Sequence, residues 1–258
     1  MVAWFDTRAT SSLRSLVLSP RRNAAHWSLV VPQISLNFRS GAQVAARVVA
    51  VDHLVIAGWT GRDRAAVEKH IRELEDLGVR RPPTTPVYYR AAAARLTTSD
   101  LIEASGDASS GEVEFFVFQS GGRLWVGVGS DHTDRSVETY SVTVSKQMCE
   151  KPIAGEVWAF EDVAPHWDQL ALRSFIVENG ARVCYQEGRV SAMLDPRELI
   201  ANYAGDAGLG DDTLMFCGTL AARGGIRPST RFEFEIEDAV LGRKISGGYS
   251  ILNLPMAG

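Results

Sequence analysis

One β-hairpin signal constrains this chain more than any other feature of its sequence. Residues 111–118, Gly-Glu-Val-Glu-Phe-Phe-Val-Phe, are typical of a strand, and the glycine pair at 121–122 indicates a tight turn before a returning strand. Because side chains alternate along a strand, Glu112 and Glu114 lie on the same face. The turn length places Asp131 opposite Glu112. The sequence therefore predicts three carboxylates at one end of a hairpin.

These three carboxylates have two interpretations. Carboxylates that converge without a partner repel one another and lose solvation, whereas a divalent cation between them satisfies all three. Ligands that offer only oxygen favour a hard ion, Mg²⁺, Mn²⁺ or Ca²⁺, over zinc. The alternative is a strand end with two solvated glutamates and an unrelated aspartate. Spacing alone does not decide between these two interpretations.

Composition limits the classes of protein that the chain can belong to. Its 258 residues are 45% hydrophobic and 22% charged, which is enough for an ordinary core in one large domain or two small ones. A net charge of −4 gives no reason to expect nucleic acid as a partner. No stretch of sequence approaches the roughly 20 apolar residues of a membrane span. Three cysteines without paired spacing predict reduced thiols, and we expect a cytoplasmic location.

The chain divides unevenly into an arm and a domain. Residues 1–30 carry arginines among serines and alanines, a composition that resembles a transit peptide. A loosely ordered N-terminal arm is the simpler expectation. Residues 31–258 show no repeat and no low-complexity linker, so we expect a single catalytic domain there.

Many strands and few helices are predicted, without an alternating strand–helix rhythm. This pattern favours a β-rich α+β fold with an antiparallel or mixed sheet. The predicted strands are 27–38, 48–58, 86–90, 112–119, 124–129, 157–160, 174–185, 213–218, 232–240 and 244–252. The predicted helices are 62–77, a short one around 166–172, and 196–203, where Asp195 caps and Pro196 occupies the first turn.

Several segments, taken in chain order, resemble the fumarylacetoacetate hydrolase superfamily. That family carries Glu-x-Glu, then Asp-x-(Ser/Thr)-x-Arg, then a lysine, and here the second and third elements end in Arg135 and Lys146. Upstream, His70-x-x-Glu73 resembles the His-x-x-Glu element of the family's lid helix. Downstream, Gly218-Thr219 is similar to the family's Gly-Thr turn, and residues 231–245 resemble its closing hairpin. The chain resembles an outlying branch of the superfamily.

The resemblance implies a fold, a metal and a set of roles. The fold would be the mixed β-sandwich roll of the family's C-terminal domain, with a short lid helix, in a homodimer. The metal would be Mg²⁺, or Mn²⁺ or Ca²⁺, held by Glu112, Glu114 and Asp131. His70 with Glu73 would be the base, and Lys146 would be the cation that stabilises an oxyanion. Arg90, Gly218 and Thr219 would bind the substrate. Arg135 would give structural support.

Each of these residues also has a simpler interpretation. His70 and Glu73 are neighbours at i and i+3, which is as typical of an exposed ion pair as of a catalytic dyad. Lys146 would otherwise be an ordinary surface lysine after a strand, and Arg135 could pair with Asp134. The Gly218-Thr219 pair could be a plain turn. His132 is expected in the core or behind the metal ligands, because alternation points it away from them.

The implied function is hydrolysis of a C–C bond in a small 2-oxo or 1,3-dicarbonyl acid, through a metal-chelated enolate. The enzyme would bind a small carboxylate substrate, with neither nucleic acid nor membrane as a partner. Decarboxylation, hydration or dehydration, and isomerisation of a related acid use the same enolate and stay open as alternatives. From another class, the chain could be a catalytically inert metal- or ligand-binding protein.

Overall fold

The computed structural model describes residues 32–76 and 81–256, apart from the side chains of His70, Glu73 and Leu74. The expected N-terminal arm, residues 1–30, lies outside the described residues. None of the described helices is both long and apolar enough to cross a membrane.

Strands dominate the described part of the chain. In chain order they are β1 (Gln33–Ser40), β2 (Gln43–Ala50), β3 (His53–Gly58), β4 (Val87–Ala91), β5 (Leu96–Thr97), β6 (Leu101–Ser105), β7 (Ser109–Ser110), β8 (Val113–Ser120), β9 (Arg123–Ser130), β10 (Thr133–Asp134), β11 (Lys151–Pro152), β12 (Glu156–Ala159), β13 (Ala171–Glu178), β14 (Ala181–Arg189), β15 (Thr213–Thr219), β16 (Arg231–Asp238) and β17 (Arg243–Leu254). The α-helices are α1 (Arg64–Asp76), α2 (Arg135–Glu138), α3 (Val142–Met148), α4 (Phe160–Val163) and α5 (Pro196–Ala204).

Two large sheets are formed by these described strands. The first has eight strands in the order β2-β1-β12-β9-β8-β15-β3-β4, and the second has five in the order β14-β13-β16-β17-β6. Most neighbours are antiparallel, but β1–β12, β15–β3 and β17–β6 are parallel pairs. The expected β-rich α+β fold with mixed sheets is therefore confirmed.

Opposite faces of β8 belong to different parts of the core. Val113, Phe115 and Val117 pack in a cluster that also contains Phe234 and Tyr249 of the five-stranded sheet. The alternate residues, Phe116 and Phe118, join a second cluster with β1, β3 and β15 of their own sheet. A strand buried on both faces is fixed in position, so the residues at its end are fixed as well.

The sequence predicted α1 and α5 nearly to the residue, and both begin at an aspartate cap. The Asp63 side chain accepts from the amides of Ala65 and Ala66, and Asp195 accepts from the amide of Arg197. Residue 77, where the first helix was predicted to end, lies outside the described residues.

Three predicted elements differ in the structure. The strand predicted at 174–185 is a hairpin, because Asn179 and Gly180 have positive φ and turn β13 into β14. The strand at 48–58 is divided between β2 and β3. The segment 166–172 is a 3₁₀ turn that leads into β13 rather than an α-helix.

Asp238 fixes the turn between β16 and β17 through a buried carboxylate. Its Oδ1 accepts from the amides of Val240 and Leu241, each at 3.1 Å, and from His166 Nε2 at 2.9 Å. Burial alone would raise the pKa of Asp238, but the Leu241 amide and His166 outweigh burial and hold this pKa below its ordinary value.

Replacing this carboxylate should destabilise the protein in a pH-dependent way. We expect Asp238→Asn to lower the free energy of unfolding at neutral pH by about 1–3 kcal/mol, because the two turn amides and His166 lose a charged acceptor. The folded pKa lies below the unfolded value of about 3.9, so the carboxylate stabilises above that value and less as pH falls through the folded pKa. Urea unfolding from about pH 7 to pH 3 should therefore show the difference between the variants shrinking below about pH 4. A constant difference would contradict this account.

Candidate functional site

The register of the β8–β9 hairpin brings two of the predicted ligands together. Val113 pairs with Ser130 at the open end of the hairpin. The next pair outward is Glu112 and Asp131, where the Asp131 amide donates to the Glu112 carbonyl at 3.0 Å. The prediction that Asp131 lies opposite Glu112 is confirmed.

Glu112, Glu114 and Asp131, called the acidic triad below, converge on one point. Each offers a carboxylate oxygen, and these three atoms all lie within 4.8 Å of one another. Asp131 is fully buried and Glu114 is 3% exposed, whereas the side chain of Glu112 keeps 15% of its surface. The triad therefore opens to solvent on the side of Glu112.

Lys146 is the cation nearest to the triad, although it does not follow a strand on the surface. It lies on α3, where Ser141 caps the helix by accepting from the Val144 amide. The Lys146 ammonium bonds to Asp131 Oδ2 and lies 3.5 Å from Glu112 Oε2. The surface interpretation is wrong, because α3 turns this buried side chain toward the carboxylates.

Lys151 is a second buried cation that the sequence did not single out. Its fully buried Nζ lies 2.8 Å from Asp131 Oδ1 and donates to the carbonyl of His132 at 2.5 Å. Lys151 is placed by β11, which pairs in parallel with β5. A pairing between segments so far apart in sequence leaves no local pattern that would have revealed it.

Arg135 contacts the triad through Glu112. Its Nη1 lies 3.0 Å from Glu112 Oε1 and 2.9 Å from Glu138 Oε2. The alternative pairing with Asp134 is wrong, because the Asp134 carboxylate instead caps α2 by accepting from the Val137 amide. Arg135 is thus placed to hold Glu112 in position, and its structural role stays a prediction.

The Gly218-Thr219 pair makes its hydrogen bonds to other residues of the protein in this structure. The amide of Gly218 donates to Glu114 Oε2 at 2.8 Å. The hydroxyl of Thr219 donates to the Val113 carbonyl at 2.8 Å and receives a bond from Gln186 Nε2 at 2.9 Å. Both groups expected to meet a substrate are therefore already engaged in holding the end of β8.

The pKa values of the two buried carboxylates in the site shift in opposite directions. Burial would raise the pKa of Asp131, but Lys146 and Lys151 outweigh burial and lower it to about 2. The pKa of Glu114 is raised well above its ordinary value, first by burial and then by repulsion from Asp131. Lys146 keeps its proton, since its carboxylate neighbours outweigh burial and raise its pKa. Glu114 is therefore the ligand that gains most from an added cation.

His132 lies behind the triad, as predicted. Its ring nitrogens bond to the Tyr249 hydroxyl at 2.8 Å and to Ser109 Oγ at 2.9 Å. Burial, with help from Lys151, lowers the pKa of His132 to about 3, so the ring is neutral. The network ties the hairpin end to β17 of the second sheet.

Arg90, also predicted for the site, does not join this cluster. Arg90 is exposed on β4 and its guanidinium contacts His53 Nδ1 at 2.8 Å. Its neighbour Tyr89 points to the other face of β4. There burial raises the pKa of the Tyr89 hydroxyl, Lys146 opposes that rise and Asp131 adds to it. His70 and Glu73 lie on α1, but their side chains lie outside the described parts of the chain.

The donors present fit a hard divalent ion. All three ligands offer carboxylate oxygen, the chemistry that Mg²⁺, Mn²⁺ and Ca²⁺ prefer. Asp131 Oδ1 is buried and faces Lys151 Nζ at 2.8 Å without a hydrogen bond of acceptable geometry. Three converging carboxylate oxygens are the ligand set that such an ion requires.

The family of the chain is shown by a match over most of its length. Residues 57–249 match the model of a family described as a protein of unknown function, DUF2848. The chain belongs to the DUF2848 family. No curated protein matches this DUF2848 chain significantly.

Solved structures show the fold that this DUF2848 member shares. Cg1458, solved with an inhibitor, is 16% identical over 81% of each chain, with a TM-score of 0.57. The yeast protein ynq8, a fumarylacetoacetate hydrolase family protein, is 16% identical over 80% of this chain and 95% of its own, with a TM-score of 0.57. A 2-keto-3-deoxy-D-arabinonate dehydratase, complexed with magnesium and 2,5-dioxopentanoate, is 15% identical over 81% and 77%, with a TM-score of 0.56. The resemblance to the fumarylacetoacetate hydrolase fold is confirmed.

Gly218, whose amide donates to Glu114, should tolerate no side chain, because its backbone conformation and its closeness to Thr60 leave no room for one. Its φ is +102°, and an added Cβ would lie 1.8 Å from Thr60 Oγ1. We expect Gly218→Ala to lower the free energy of unfolding by about 2–4 kcal/mol through strain and overpacking. Gly155→Ala is the matched control, since its Cβ would meet nothing within 4 Å. Urea unfolding that ranks the two variants equally would contradict this prediction.

Proposed function

We propose that this protein is a divalent-metal-dependent enzyme that hydrolyses a C–C bond in a small 2-oxo or 1,3-dicarbonyl acid. The observation that carries the proposal is the acidic triad with the Lys146 ammonium beside it. A solved structure of the same fold, the dehydratase named above, holds magnesium and 2,5-dioxopentanoate. That chemistry supports this proposal by analogy of fold alone.

The acidic triad would hold Mg²⁺, or Mn²⁺ or Ca²⁺ in its place. The ion would supply a Lewis acid that polarises the 2-oxo group and acidifies the neighbouring carbon. Arg135 keeps Glu112 oriented, and the Gly218 amide does the same for Glu114. These contacts hold the ligands in position before the ion arrives.

Lys146 is the group that would stabilise negative charge on the substrate. Its ammonium is charged, contacts Asp131 and reaches the side on which Glu112 is exposed. An ammonium in a poorly solvated site stabilises a developing oxyanion more strongly than it would in water. Lys146 would therefore bind the enolate oxygen as the C–C bond breaks.

His70 and Glu73 would supply the base. In this proposal a ring nitrogen of His70 takes a proton from water, and the Glu73 carboxylate orients the ring and raises its basicity. The resulting hydroxide attacks the carbonyl carbon, and the bond from that carbon to its neighbour breaks, with its electron pair passing to the enolate. The enolate carbon would then take back the proton held by His70. Placement of both residues on α1 is compatible with a lid that brings the base to the substrate.

Dehydration is the alternative that one observation favours. Lys146 contacts Glu112 on the open side of the triad, so its ammonium would stabilise a departing hydroxide as well as an enolate oxygen. Decarboxylation and isomerisation of a related 2-oxo acid would use the same groups. A catalytically inert ligand-binding protein, from another class, would bind Mg²⁺ and acids without turnover.

Metal binding and turnover together test the triad. We expect the protein to bind Mg²⁺ by isothermal titration calorimetry and, with Mg²⁺, to turn over members of a panel of acylpyruvates and 2-oxo acids. Glu112→Gln or Asp131→Asn should lose Mg²⁺ binding and turnover together, because each removes a charged ligand. Glu103→Gln, an exposed glutamate on β6, is the matched control and should change neither. Mg²⁺ binding that survives both triad substitutions would contradict the site, and binding without turnover would favour the inert alternative.

The base and the metal site should do separable work. His70→Ala should lower kcat by about 10²–10⁴-fold while Mg²⁺ affinity stays unchanged, because only proton transfer is lost. Lys146→Met should keep the ion but lose turnover. If His70→Ala keeps nearly full activity, hydrolysis by this base is wrong, and a Lys146-centred dehydration becomes the better account.

We also propose a homodimer. The edge strand β2 exposes Val44 and Val48 at 48% and 64%, so an apolar sheet edge is open to a partner. We expect sedimentation at micromolar concentration to give twice the mass of one chain. A single-chain mass would contradict the dimer without affecting the site.

A further inference from the structure

The C-terminal ends of β3 and β15 lie together beside the acidic triad. The two strands are parallel neighbours, so both chains leave the sheet at the same edge. There Gly218 donates its amide to Glu114, and a Cβ built on Gly218 would lie 1.8 Å from Thr60 Oγ1. Thr60 is thus in contact with the residue that holds one carboxylate of the triad. Its neighbour Trp59, which directly follows β3, therefore lies at the edge of the site.

Trp59 has a backbone conformation that its residue type rarely adopts. Its φ is +59°, in the left-handed region that favours glycine. Such strain persists only where the surrounding structure fixes it, and it is concentrated at ligand-binding and active sites. Here the next two residues are fixed, because the Thr60 carbonyl accepts from the Leu194 amide at 2.8 Å and Gly61 bridges to Met193. The direction of the Trp59 side chain is therefore set by the fold.

Tyr89 holds the indole of Trp59, and these two residues are called the aromatic pair below. Tyr89 pairs with Ile56 of β3, and a Cβ built on Gly58 would lie 2.9 Å from Tyr89 Cε2. The missing side chain of Gly58 therefore makes room for the tyrosine ring. The Trp59 side chain hydrogen-bonds to the Tyr89 hydroxyl. An indole can only donate, so the phenol oxygen accepts this bond and fixes the N–H edge of the indole.

The aromatic pair lies on the Lys146 side of the triad. Helix α3, which carries Lys146, is joined to β4 where Gln147 Nε2 donates to the Arg90 carbonyl at 2.7 Å, one residue beyond Tyr89. Burial raises the pKa of Tyr89, and two charges of the site also reach its hydroxyl, since Lys146 lowers this pKa and Asp131 raises it. Both members of the pair are only partly buried, so they keep surface that a ligand can contact.

Apolar ring surface at this position bears on the substrate. The side chains that contact the triad directly are charged, with Arg135 at Glu112, and Lys146 and Lys151 at Asp131. A 2-oxo acid that chelates the ion through its 2-oxo and carboxylate oxygens has one remaining substituent. An apolar substituent that packs on the aromatic pair is removed from water, whereas a charged one would lose solvation there.

We propose that Trp59 is a specificity-determining residue whose indole packs against the substituent of the substrate and selects an apolar one. Tyr89 is the positioning residue that holds the indole in place. The inference rests on the proposed function and narrows its substrate class to 2-oxo or dicarbonyl acids with an aliphatic or aromatic group at the end remote from the carboxylate.

Pyruvate and 4-methyl-2-oxopentanoate isolate this contribution, because the second acid adds only an isopropyl group to the same charge and chelating atoms. Their dissociation constants are measured by calorimetry in competition with oxalate, at saturating Mg²⁺. The proteins are wild type, Trp59→Gly, Trp59→Phe, Tyr89→Phe and the control Val240→Ala. Glycine adopts a φ of +59° without strain, so Trp59→Gly removes the indole and keeps the backbone conformation allowed. Val240 is an exposed apolar residue in the turn between β16 and β17.

We expect wild type to bind 4-methyl-2-oxopentanoate about tenfold more tightly than pyruvate, because the isopropyl group is partly removed from water. Trp59→Gly should lose that preference, and Trp59→Phe, which keeps an aromatic ring, should keep most of it. Tyr89→Phe should lower the preference about threefold, through loss of the hydrogen bond that holds the indole. Oxalate has no substituent, so its dissociation constant should be the same in every variant, and Val240→Ala should match wild type throughout.

The results that overturn the inference differ from those that overturn the proposed function. If wild type binds the two acids equally, if Trp59→Gly keeps the preference, or if Trp59→Gly weakens oxalate as much as the branched acid, Trp59 does not select the substituent and the proposed function survives. Trp59→Ala replaces the glycine variant if that variant does not fold, and unfolding of both would show a structural role and overturn the inference. If wild type binds neither Mg²⁺ nor oxalate, the proposed function fails and the inference fails with it.

Discussion

The site depends on the pairing of β8 with β9. A single backbone hydrogen bond, from the Asp131 amide to the Glu112 carbonyl, joins the two residues just beyond the paired strands. Because side chains alternate, a slip of one residue would send Glu114 into the core between the sheets and Phe115 toward the ligands. Aromatic residues buried on both faces of β8 exclude that slip. The same packing that forms the core therefore sets the register of the metal ligands.

Burial of three carboxylates is made tolerable by cations from separate elements. Lys146 lies on α3, Lys151 on β11 and Arg135 on α2. These three elements, which all follow β9 in the chain, each place one positive charge at the hairpin end. Removing one partner of such a buried pair is costly, since the other charge is left uncompensated. Glu114 alone has no such cation at hydrogen-bond distance among the described residues, and it relies on the Gly218 amide. This asymmetry points to Glu114 as the ligand whose charge an added ion would complete.

Sequence was sufficient where the information was local. Alternation and the Gly121-Gly122 turn predicted the hairpin and the convergence of the triad, and the Asp195 cap with Pro196 predicted α5. The helix that carries Lys146 was missed, because α3 is only seven residues long and its cap, Ser141, has no apolar repeat after it. Lys151 was missed because a parallel pairing across more than fifty residues places it. The Asn179-Gly180 pair is a local turn signal, but the apolar residues on both sides of it favour one continuous strand.

The two lysines have different surroundings, although both contact Asp131. Both contact Asp131, yet only Lys146 borders the open side, and only Lys151 is tied to a backbone carbonyl at its ammonium end. Lys151 is held by a metal ligand and by a backbone carbonyl, whereas the polar contacts of Lys146 are with carboxylates of the triad. In the proposed reaction Lys146 would therefore meet the substrate, and Lys151 would stay with Asp131 behind it. The motif alone could not make that distinction, because it records which residue types occur and not which of them borders the open side.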